Sequence, residues 1–435
     1  MAEPAVRVGL VGLGTIGTGV VRIFQEGRER IAERLGFPLE LTVIADIDLE
    51  TDRGVSLAEY ATTRNWRELV DDPEIDLVVE LVGGTGVARS IVLAALDSGK
   101  GVVTANKALL AQHGEEIFAL AASKCAEIAF EGSVGGTIPV LRALREGLCA
   151  DRIDSILGIV NGTCNYILTE MEERGESYEA CVKRAQDLGY AEADPTFDVD
   201  GTDSAHKLSI LLALAFGVRV GPDQFGVEGV ERIEPVDVEY ARRIGLRIKL
   251  LAVGKRGDQG IEAHVHPTMI PETSVLARVD GPMNAVEVQG LHSGPTLYYG
   301  AGAGSLPTGS AVVGDLMELA RARRLGAALR VPPLGTPALR EVTLARPEDL
   351  ETEYYLRVAA LDSPGVLSEI TGALGEFGIS IATVLQEERR AERAVPVVIT
   401  THTARQGSLD AAIRDIEQLA EVTRPVQVIR IERGI

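Results

Sequence analysis

The stretch that decides the fold is Ala5-Val-Arg-Val-Gly-Leu-Val-Gly12-Leu-Gly14-Thr-Ile-Gly17. Its first half is an apolar run typical of a buried strand, and a helical pattern begins at the glycines. The first glycine permits a tight turn, the second lets a pyrophosphate approach the backbone, and the third lets helix and strand pack closely. A glycine-rich turn without a ligand is the alternative. The strand-to-helix context favours a dinucleotide-binding unit, with Thr15 and Ile16 as further contacts.

Strands and helices alternate after this motif. Predicted strands cover 41–45, 75–82, 101–104 and 127–130, and predicted helices cover 86–98 and 108–124. Such alternation implies a parallel sheet with right-handed crossovers. We therefore predict the α/β class, with a Rossmann-type doubly wound parallel sheet as a dinucleotide-binding domain over residues 1–140.

Asp46 closes the second strand, where an acid usually holds the ribose 2′-hydroxyl of the cofactor. Its distance from Gly17 exceeds the usual roughly 20 residues, which indicates a long helix between them. An acid at this position favours NAD, whereas Arg53 a few residues later keeps NADP open.

Ligands of doubly wound sheets lie at the carboxyl ends of the strands. We therefore assign Gly83 and Thr104 to the cofactor site and place Lys107 near the nicotinamide; a solvated surface lysine is the alternative. Glu131-Gly-Ser-Val-Gly-Gly-Thr-Ile-Pro139 follows the next strand. Its glycines could free main-chain carbonyls for a cation or ligand, and a tight strand-to-helix turn is an equal alternative.

A charged segment lies near the middle of the chain: Glu192-Ala-Asp-Pro-Thr-Phe-Asp198-Val-Asp-Gly-Thr-Asp203-Ser-Ala-His-Lys207. The residues after it are apolar on every side, so their helix should be buried. Asp203 and Lys207 lie one turn apart on that helix, and unpaired buried charge is costly. A calcium loop is excluded, because Lys207 would replace its bidentate glutamate. A site for a zwitterionic ligand or a plain salt bridge remains.

Two other motifs suggest chemistry more weakly. His264-Val-His266 places two imidazoles on one strand face, but without a third ligand an ordinary strand is favoured over a metal site. Cys164 could be a nucleophile only beside a base. Nothing in its surroundings marks it as activated, and a packed thiol is favoured.

Composition limits the remaining classes. The chain has 435 residues, 46% of them apolar, and a formal charge of −21, which argues against nucleic acid or an anionic membrane as partner. No apolar run reaches membrane-spanning length. The N terminus lacks a signal-peptide pattern, and the four cysteines show no disulfide or zinc spacing. We expect a cytoplasmic protein.

The pattern changes from about residue 152. Strands are predicted at 152–160, 247–254 and 261–268, with helices between 163 and 216. These segments predict a second, α+β domain with an open sheet over 141–300. Residues 297–310 predict a glycine-rich turn containing Gly302, followed by a helix from Ala311. We expect 300–330 to pack back on the nucleotide domain and 331–350 to form a linker.

The C-terminal segment, 351–435, has its own pattern. Predicted strands cover 354–361, 379–387, 395–402 and 426–431, and predicted helices cover 365–376 and 408–419. The order βαββαβ is that of a ferredoxin-like domain.

These motifs, in this order, resemble homoserine dehydrogenases of the long form with a C-terminal ACT domain. The resemblance spans nearly the whole chain and rests on the glycine motif and on Thr104-Ala-Asn-Lys107, Glu131-Gly-Ser-Val-Gly-Gly136, Asn161-Gly-Thr163, Gly189–Pro195, Asp198–Lys207 and Gly300–Thr308. The glycine motif is shared by many families, whereas the segment 189–207 is specific.

The resemblance implies interconversion of L-homoserine and L-aspartate-4-semialdehyde with NAD or NADP, and it implies that 141–300 is the catalytic and dimerisation domain. It assigns each matching position a role: Lys207, Lys107 and Asp203 in catalysis; Glu192, Asp198, Tyr190, Gly162 and Thr163 in substrate binding; and the carbonyls of Glu131, Val134 and Gly136 in binding Na⁺ or K⁺. Ile47 stands where relatives commonly carry an arginine suited to NADP. We expect direct hydride transfer, with Lys207 or Lys107 as proton donor and Asp203 orienting Lys207.

The tail resembles an ACT domain, which binds amino acids at paired interfaces. Asp362, Gly365, Gly378 and Ile379 would form the effector site, with threonine as the expected effector and a homodimer or homotetramer as the assembly. A tail that only dimerises is the alternative.

Two other functions of the whole chain are less well supported. Another dehydrogenase with an ACT domain, such as phosphoglycerate dehydrogenase, would need a mid-chain glycine motif and a catalytic histidine, and neither is present. A non-catalytic amino-acid sensor with a dinucleotide fold would not need to keep a proton donor, so Lys107, Glu192, Asp203 and Lys207 argue against it.

Overall fold

The computed structural model describes residues 4–327, 330–386 and 394–434. The chain forms two compact units, and each draws on three separated parts of the sequence. The first unit contains Met1–Ile156, His206–Pro222 and Met283–Glu341, and the second contains Leu157–Ala205, Asp223–Pro282 and Val342–Ile435.

The N-terminal part of the first unit alternates strands and helices. In chain order these are β1 (Val6–Val11), α1 (Thr15–Leu35), β2 (Leu39–Ala45), β3 (Ala61–Thr63), α2 (Trp66–Asp71), β4 (Leu77–Glu80), α3 (Gly86–Asp97), β5 (Gly101–Thr104), α4 (Lys107–Lys124), β6 (Ile128–Ala129) and α5 (Val140–Arg142). The strands lie in the order β3-β2-β1-β4-β5-β6, and each neighbouring pair is parallel. This is the doubly wound order of dinucleotide-binding sheets, so the predicted fold class is confirmed.

The middle of the chain contributes elements to both units. They are β7 (Ile153–Ile159), α6 (Gly162–Arg174), α7 (Tyr178–Asp187), α8 (Thr196–Val199), α9 (Thr202–Phe216), β8 (Gly226–Val227), α10 (Pro235–Arg243), β9 (Leu246–Gly257), β10 (Gly260–Pro271), β11 (Met283–Gly290), β12 (Gly294–Ala301) and α11 (Ser305–Leu325). Helix α9 begins in the second unit and continues into the first.

The predicted glycine-rich turn over 297–310 is wrong in extent. Strand β12 continues to Ala301 because it pairs antiparallel with β11 along its whole length, with Gly300 opposite Asn284. Helix α11 already begins at Ser305, which leaves only 302–304 as the turn. Pro307 is tolerated in the first turn of α11 because main-chain N–H groups there have no intrahelical acceptor.

Helix α11 packs closely on α1 within the first unit. A Cβ on Gly19 would lie 2.1 Å from the carbonyl oxygen of Ser305, so only glycine permits this approach. The Ser305 hydroxyl donates to the carbonyl oxygen of Thr15 at 2.7 Å. The start of α1, which carries the glycine motif, is therefore held by the start of α11.

The C-terminal segment has the predicted βαββαβ order. Its elements are β13 (Glu351–Leu361), α12 (Val366–Glu376), β14 (Ile381–Gln386), β15 (Ala394–Thr401), the short β16 (Ala404–Arg405), α13 (Gln406–Ile416) and β17 (Gln427–Ile431). The four long strands form an antiparallel sheet in the order β17-β13-β15-β14. Glu387, at the end of one predicted strand, lies outside the described residues.

This C-terminal sheet continues into the sheet formed by β9 and β10. Strand β17 pairs in parallel with β10, with Thr268 opposite Arg430 and Met269 opposite Ile431. A buried ion pair lies near the same junction, where Arg357 of β13 donates to Asp237 of α10 at 2.7 Å. The second unit therefore joins the ferredoxin-like segment to β10 through main-chain pairing and to α10 through a buried ion pair.

In the described part of the chain, no helix is both long enough and apolar enough to cross a membrane.

Candidate active site

The glycine motif forms the turn between β1 and α1. Gly12 has a φ of 102°, and a Cβ there would lie 2.5 Å from the carbonyl carbon of Leu81. A Cβ on Gly17 would lie 2.0 Å from the Gly12 carbonyl oxygen, whereas one on Gly14 would meet no atom within 4 Å. Gly12 and Gly17 thus serve the turn and its packing. Gly14 leaves open space at a helix N terminus, which fits a bound pyrophosphate.

Asp46 follows β2 and points back toward this turn. Its carboxylate accepts hydrogen bonds from the backbone N–H groups of Leu13, at 2.5 Å, and Asp48, at 2.8 Å. The neighbouring side chain of Ile47 is 88% exposed. Arg53 donates to the Asp48 carboxylate at 2.9 Å, so the one nearby arginine considered for NADP is already paired with an acid.

The loop after β4 lies beside the same edge of the sheet. Gly83 and Gly84 both have left-handed φ values, 74° and 65°, and a Cβ on either would meet no atom within 4 Å. The loop is anchored by Glu80, whose carboxylate accepts from Val82 N at 2.9 Å and from the Thr104 hydroxyl at 2.7 Å. Burial raises the pKa of Glu80. Sequence analysis missed this residue, because an acid inside a strand gives no local signal.

Lys107 is the first residue of α4 and is half-buried. The preceding Asn106 caps the helix by accepting from Leu109 N at 3.1 Å, and its amide donates to the Gly84 carbonyl at 2.7 Å. The position of Lys107 at the carboxyl end of β5 is therefore fixed by a cap that also contacts the loop after β4.

Glu131, Val134 and Gly136 lie in the turn after β6. The Glu131 carboxylate accepts from Leu141 N at 2.9 Å and Arg142 N at 2.8 Å, so it caps α5. Burial raises the pKa of Glu131. Gly136 has a φ of 58°, and a Cβ there would lie 2.7 Å from the Gly302 carbonyl carbon. The first unit thus brings the predicted cation segment against the predicted cofactor residue Gly302.

A second group of predicted residues meets around the start of α6. Asn161 caps this helix by accepting from Cys164 N at 2.8 Å. The Asn161 amide also donates to Asp198 at 2.8 Å and to Asp203 at 2.9 Å. The Thr163 hydroxyl donates to the Tyr190 carbonyl at 2.8 Å and lies 3.2 Å from the Asp198 carboxylate. The second unit therefore brings together Thr163, Tyr190, Asp198 and Asp203, with Gly162 as the first residue of α6.

Glu192 is placed differently from the residues it was predicted to accompany. Its side chain is exposed, and its main-chain carbonyl accepts from Gln186 at 3.2 Å. The neighbouring Tyr190 packs its ring against that of Tyr166, with centroids 4.9 Å apart. Glu192 is thus an accessible carboxylate on a loop held by its neighbours.

Asp203 and Lys207 lie in the first two turns of α9, and both are buried, with 3% and 8% exposure. The turn before α9 contains Gly201, with a φ of 89°, and Asp200, whose carboxylate accepts from Thr202 N at 2.8 Å. Asp200 is therefore a capping residue, whereas the two predicted catalytic side chains enter the interior.

The segment 226–230 supports this turn, and sequence analysis did not identify it. A Cβ on Gly229 would lie 2.1 Å from the Val199 carbonyl oxygen, and Val230 N donates to the same oxygen at 2.9 Å. In the same segment, Glu228 pairs with Arg430 of β17 at 3.0 Å. The turn that carries the acids is thus one short segment away from the ferredoxin-like sheet.

The two weaker motifs of the sequence, the pair His264 and His266 and the thiol of Cys164, are buried. His264 and His266 stack with ring centroids 4.2 Å apart, and burial lowers the pKa of both. Within the ranges that the structure describes, no cluster of three or more histidine, cysteine or acidic residues could hold a metal. The Cys164 thiol is buried and donates to the Asp198 carbonyl at 3.2 Å.

The four predicted effector residues lie at opposite ends of α12. Asp362 and Gly365 precede the helix, whereas Gly378 and Ile379 follow it. The helix has 11 residues, so its ends are roughly 16 Å apart at 1.5 Å per residue. A single copy of the chain therefore does not bring these four residues together.

The chain matches three family models: "Homoserine dehydrogenase, NAD binding domain" over residues 12–131, "Homoserine dehydrogenase" over 139–317 and "ACT domain" over 354–421. A homoserine dehydrogenase of Neisseria gonorrhoeae is 45% identical over 98% of each chain. The crystal structure of a homoserine dehydrogenase from Thiobacillus denitrificans is 45% identical, covers 99% of both chains and superposes with a TM-score of 0.94. A hyperthermophilic archaeal homoserine dehydrogenase in complex with NADPH is 25% identical, with a TM-score of 0.62 over 78% of this chain.

Proposed function

Because this chain belongs to the homoserine dehydrogenase family of NAD(P)-dependent oxidoreductases, we propose that it interconverts L-homoserine and L-aspartate-4-semialdehyde in threonine, methionine and isoleucine biosynthesis. The observation that carries the proposal is the burial of Asp203 and Lys207 in the first turns of α9, in a chain with a dinucleotide-binding turn. Exposed free thiols at Cys125 and Cys149 suit a reducing, cytoplasmic location.

A lysine ammonium is the proposed proton donor. The nicotinamide, when bound, supplies or accepts the hydride. In the reducing direction the aldehyde carbon gains the hydride, and its oxygen takes a proton from Lys207 or Lys107 as negative charge develops. Asp203 orients Lys207 from one turn earlier in the same helix.

The substrate residues each suit one end of homoserine. The exposed carboxylate of Glu192 is suited to the substrate ammonium group, and Asp198 to the hydroxyl end. Gly162, Thr163 and Tyr190 would line the pocket. The hydrogen bond from the Thr163 hydroxyl to the Tyr190 carbonyl supports this assignment, because it holds two of those residues together.

We propose NAD as the preferred cofactor, bound by Gly12, Gly14, Thr15, Ile16, Gly17, Asp46, Gly83, Thr104 and Gly302. The charge after β2 supports this preference. The acid Asp46 would repel a 2′-phosphate, Arg53 is paired with Asp48, and the exposed Ile47 brings no cation. Asp46 is suited to accept from a ribose 2′-hydroxyl instead.

The cofactor preference gives the first prediction. Homoserine oxidation, followed by absorbance in the NAD(P)H band, should proceed with a kcat/KM at least about tenfold higher for NAD than for NADP, since a charge contact is worth about 1.5–3 kcal/mol. Ile47→Arg should raise kcat/KM for NADP while leaving that for NAD within about twofold. Ile47→Met, of similar size but uncharged, is the control. Absence of reduction with both cofactors would refute the proposed activity itself.

A monovalent cation is proposed at the main-chain carbonyls of Glu131, Val134 and Gly136. Gly135 and Gly136 have left-handed φ values of 70° and 58°, a conformation that would allow neighbouring carbonyls to face a common point. The Glu131 carboxylate is engaged with Leu141 and Arg142, so the turn would offer neutral oxygens. Neutral oxygens suit Na⁺ or K⁺ better than a divalent ion, which favours carboxylates.

We propose that threonine regulates the enzyme through the ACT domain and that the enzyme is a homodimer or homotetramer. Threonine is far shorter than α12, so a site that uses Asp362 and Gly365 together with Gly378 and Ile379 needs two copies of the domain. The shared sheet of β10 and β17 and the pair between Glu228 and Arg430 support a connection to the turn before α9.

Threonine inhibition and its route form the second prediction. Threonine should inhibit the wild-type enzyme, and Glu228→Gln should require about two- to fivefold more threonine for half-inhibition, because an exposed pair contributes up to about 1 kcal/mol. The uninhibited rate should stay unchanged. Glu353→Gln, which breaks a comparable pair with Arg433, is the control. A wild-type enzyme insensitive to threonine would refute this regulation, whereas equal sensitivity of both variants would refute only the route.

A further inference from the structure

The amide of Asn161 contacts two functional carboxylates at once. Its oxygen accepts from Cys164 N at 2.8 Å and caps α6, so the amide group has one orientation. Its nitrogen then faces the acids and donates one hydrogen to Asp198, at 2.8 Å, and the other to Asp203, at 2.9 Å. Asn161 is only 4% exposed, so water does not compete for these hydrogens.

The two acids that Asn161 contacts belong to different helices. Asp198 lies in α8 and Asp203 in α9, and Asp200 and Gly201 separate the two helices. Their two carboxylates, held close together by one amide, repel each other. A primary amide has two N–H donors at a fixed angle. One Asn161 side chain can therefore set both the separation and the direction of two carboxylates.

We propose that Asn161 is a positioning residue of the dehydrogenase reaction, holding Asp198 and Asp203 in their working geometry through its two amide hydrogens. The inference rests on the proposed function, which gives Asp198 a substrate role and Asp203 the orientation of Lys207. Asn161 does not contact the reacting atoms, and its effect passes through the two acids. Geometry of this kind matters because misplacement by about 1 Å can cost about a hundredfold in rate.

Two substitutions separate this role from helix capping. Serine and aspartate cap helices about as well as asparagine, so a residue that only capped α6 would tolerate both Asn161→Ser and Asn161→Asp. A positioning residue would tolerate neither. Serine lacks the two amide donors, and aspartate in addition places a third carboxylate against Asp198 and Asp203.

The experiment measures kcat and KM for homoserine, NADH binding by fluorescence and the melting temperature of the full-length enzyme. We expect Asn161→Ser to lower kcat about 10- to 100-fold, with NADH affinity and melting temperature close to wild type. Asn161→Asp should be slower still. Asn65→Ser and Asn65→Asp are the controls, because Asn65 caps α2 by accepting from Arg67 N at 3.2 Å, and they should remain fully active.

The possible results lead to distinct conclusions. Wild-type kcat in Asn161→Ser would overturn the positioning role, because serine keeps the helix cap but lacks the two amide donors. Loss of folding or of NADH binding in both variants would also overturn it, because the residue would then be structural. An inactive wild-type enzyme would instead refute the proposed reaction and is recognised in the same assay.

Discussion

Lys207→Ala is expected to lower kcat for homoserine oxidation by about three orders of magnitude, the range in which positioned acid–base groups contribute. The ammonium of Lys207 is buried in the second turn of α9, so bulk water is a poor substitute for it. Lys107→Ala should cause a comparable loss if that lysine gives the proton. Steady-state kinetics on the two variants, with NADH affinity measured alongside, test both roles.

Arginine variants decide between the two lysines. Arginine keeps the positive charge but does not release a proton in proteins, so the proton donor should be as impaired by arginine as by alanine. A lysine that only polarises the carbonyl should retain much of its rate as arginine. Lys183→Ala is the matched control, because Lys183 forms an exposed pair with Asp187 four residues away. Wild-type turnover in Lys207→Ala or Lys107→Ala would remove that lysine from the mechanism.

Local sequence patterns were sufficient for most of the fold. Strand β5 has the predicted limits, and the helices and strands of the C-terminal segment begin within three residues of their predicted positions where the structure describes them. The long spacing between Gly17 and Asp46 is explained by α1, which has 21 residues. These features depend on apolar periodicity, glycines and turn residues close together in the chain.

The error at 297–310 had a non-local cause. Glycines there indicated a turn, but β12 is held by pairing with β11, which was not predicted as a strand. Strand pairing is set by the partner as well as by local preference. The pairing of β10 with β17 was missed for the same reason, because more than 150 residues separate Met269 from Ile431.

Some residues of the candidate site could likewise be predicted from local sequence, and others could not. The glycine motif and the spacing of Asp203 and Lys207 can be read from neighbouring residues. Asn161 could not be given its role from the sequence, because its amide contacts acids 37 and 42 positions away. Asp200 has the same residue type as Asp198 and Asp203, yet it caps α9. Only the structure separates these functions.

The second large effect is expected in stability, from Asp237. This carboxylate is fully buried, and it accepts from Arg357 at 2.7 and 3.1 Å and from the Tyr355 hydroxyl at 3.0 Å. Asp237→Ala leaves the Arg357 guanidinium buried without its Asp237 partner, beside Glu234 at 3.1 Å. Removal of one partner of a buried pair costs about 3–5 kcal/mol, and the Glu234 N–H also loses its cap. The second unit of Asp237→Ala should therefore unfold at a lower urea concentration than that of the wild type.

Replacing the whole pair should be far less harmful than breaking it. Asp237→Leu combined with Arg357→Met removes both charges, and exchange of a buried ion pair for apolar side chains is often neutral or stabilising. The double variant should therefore unfold at a higher urea concentration than Asp237→Ala. Asp187→Ala, at the exposed pair with Lys183, should change stability by less than about 1 kcal/mol. If Asp237→Ala were as mild as that control, the buried pair would not be what joins α10 to β13.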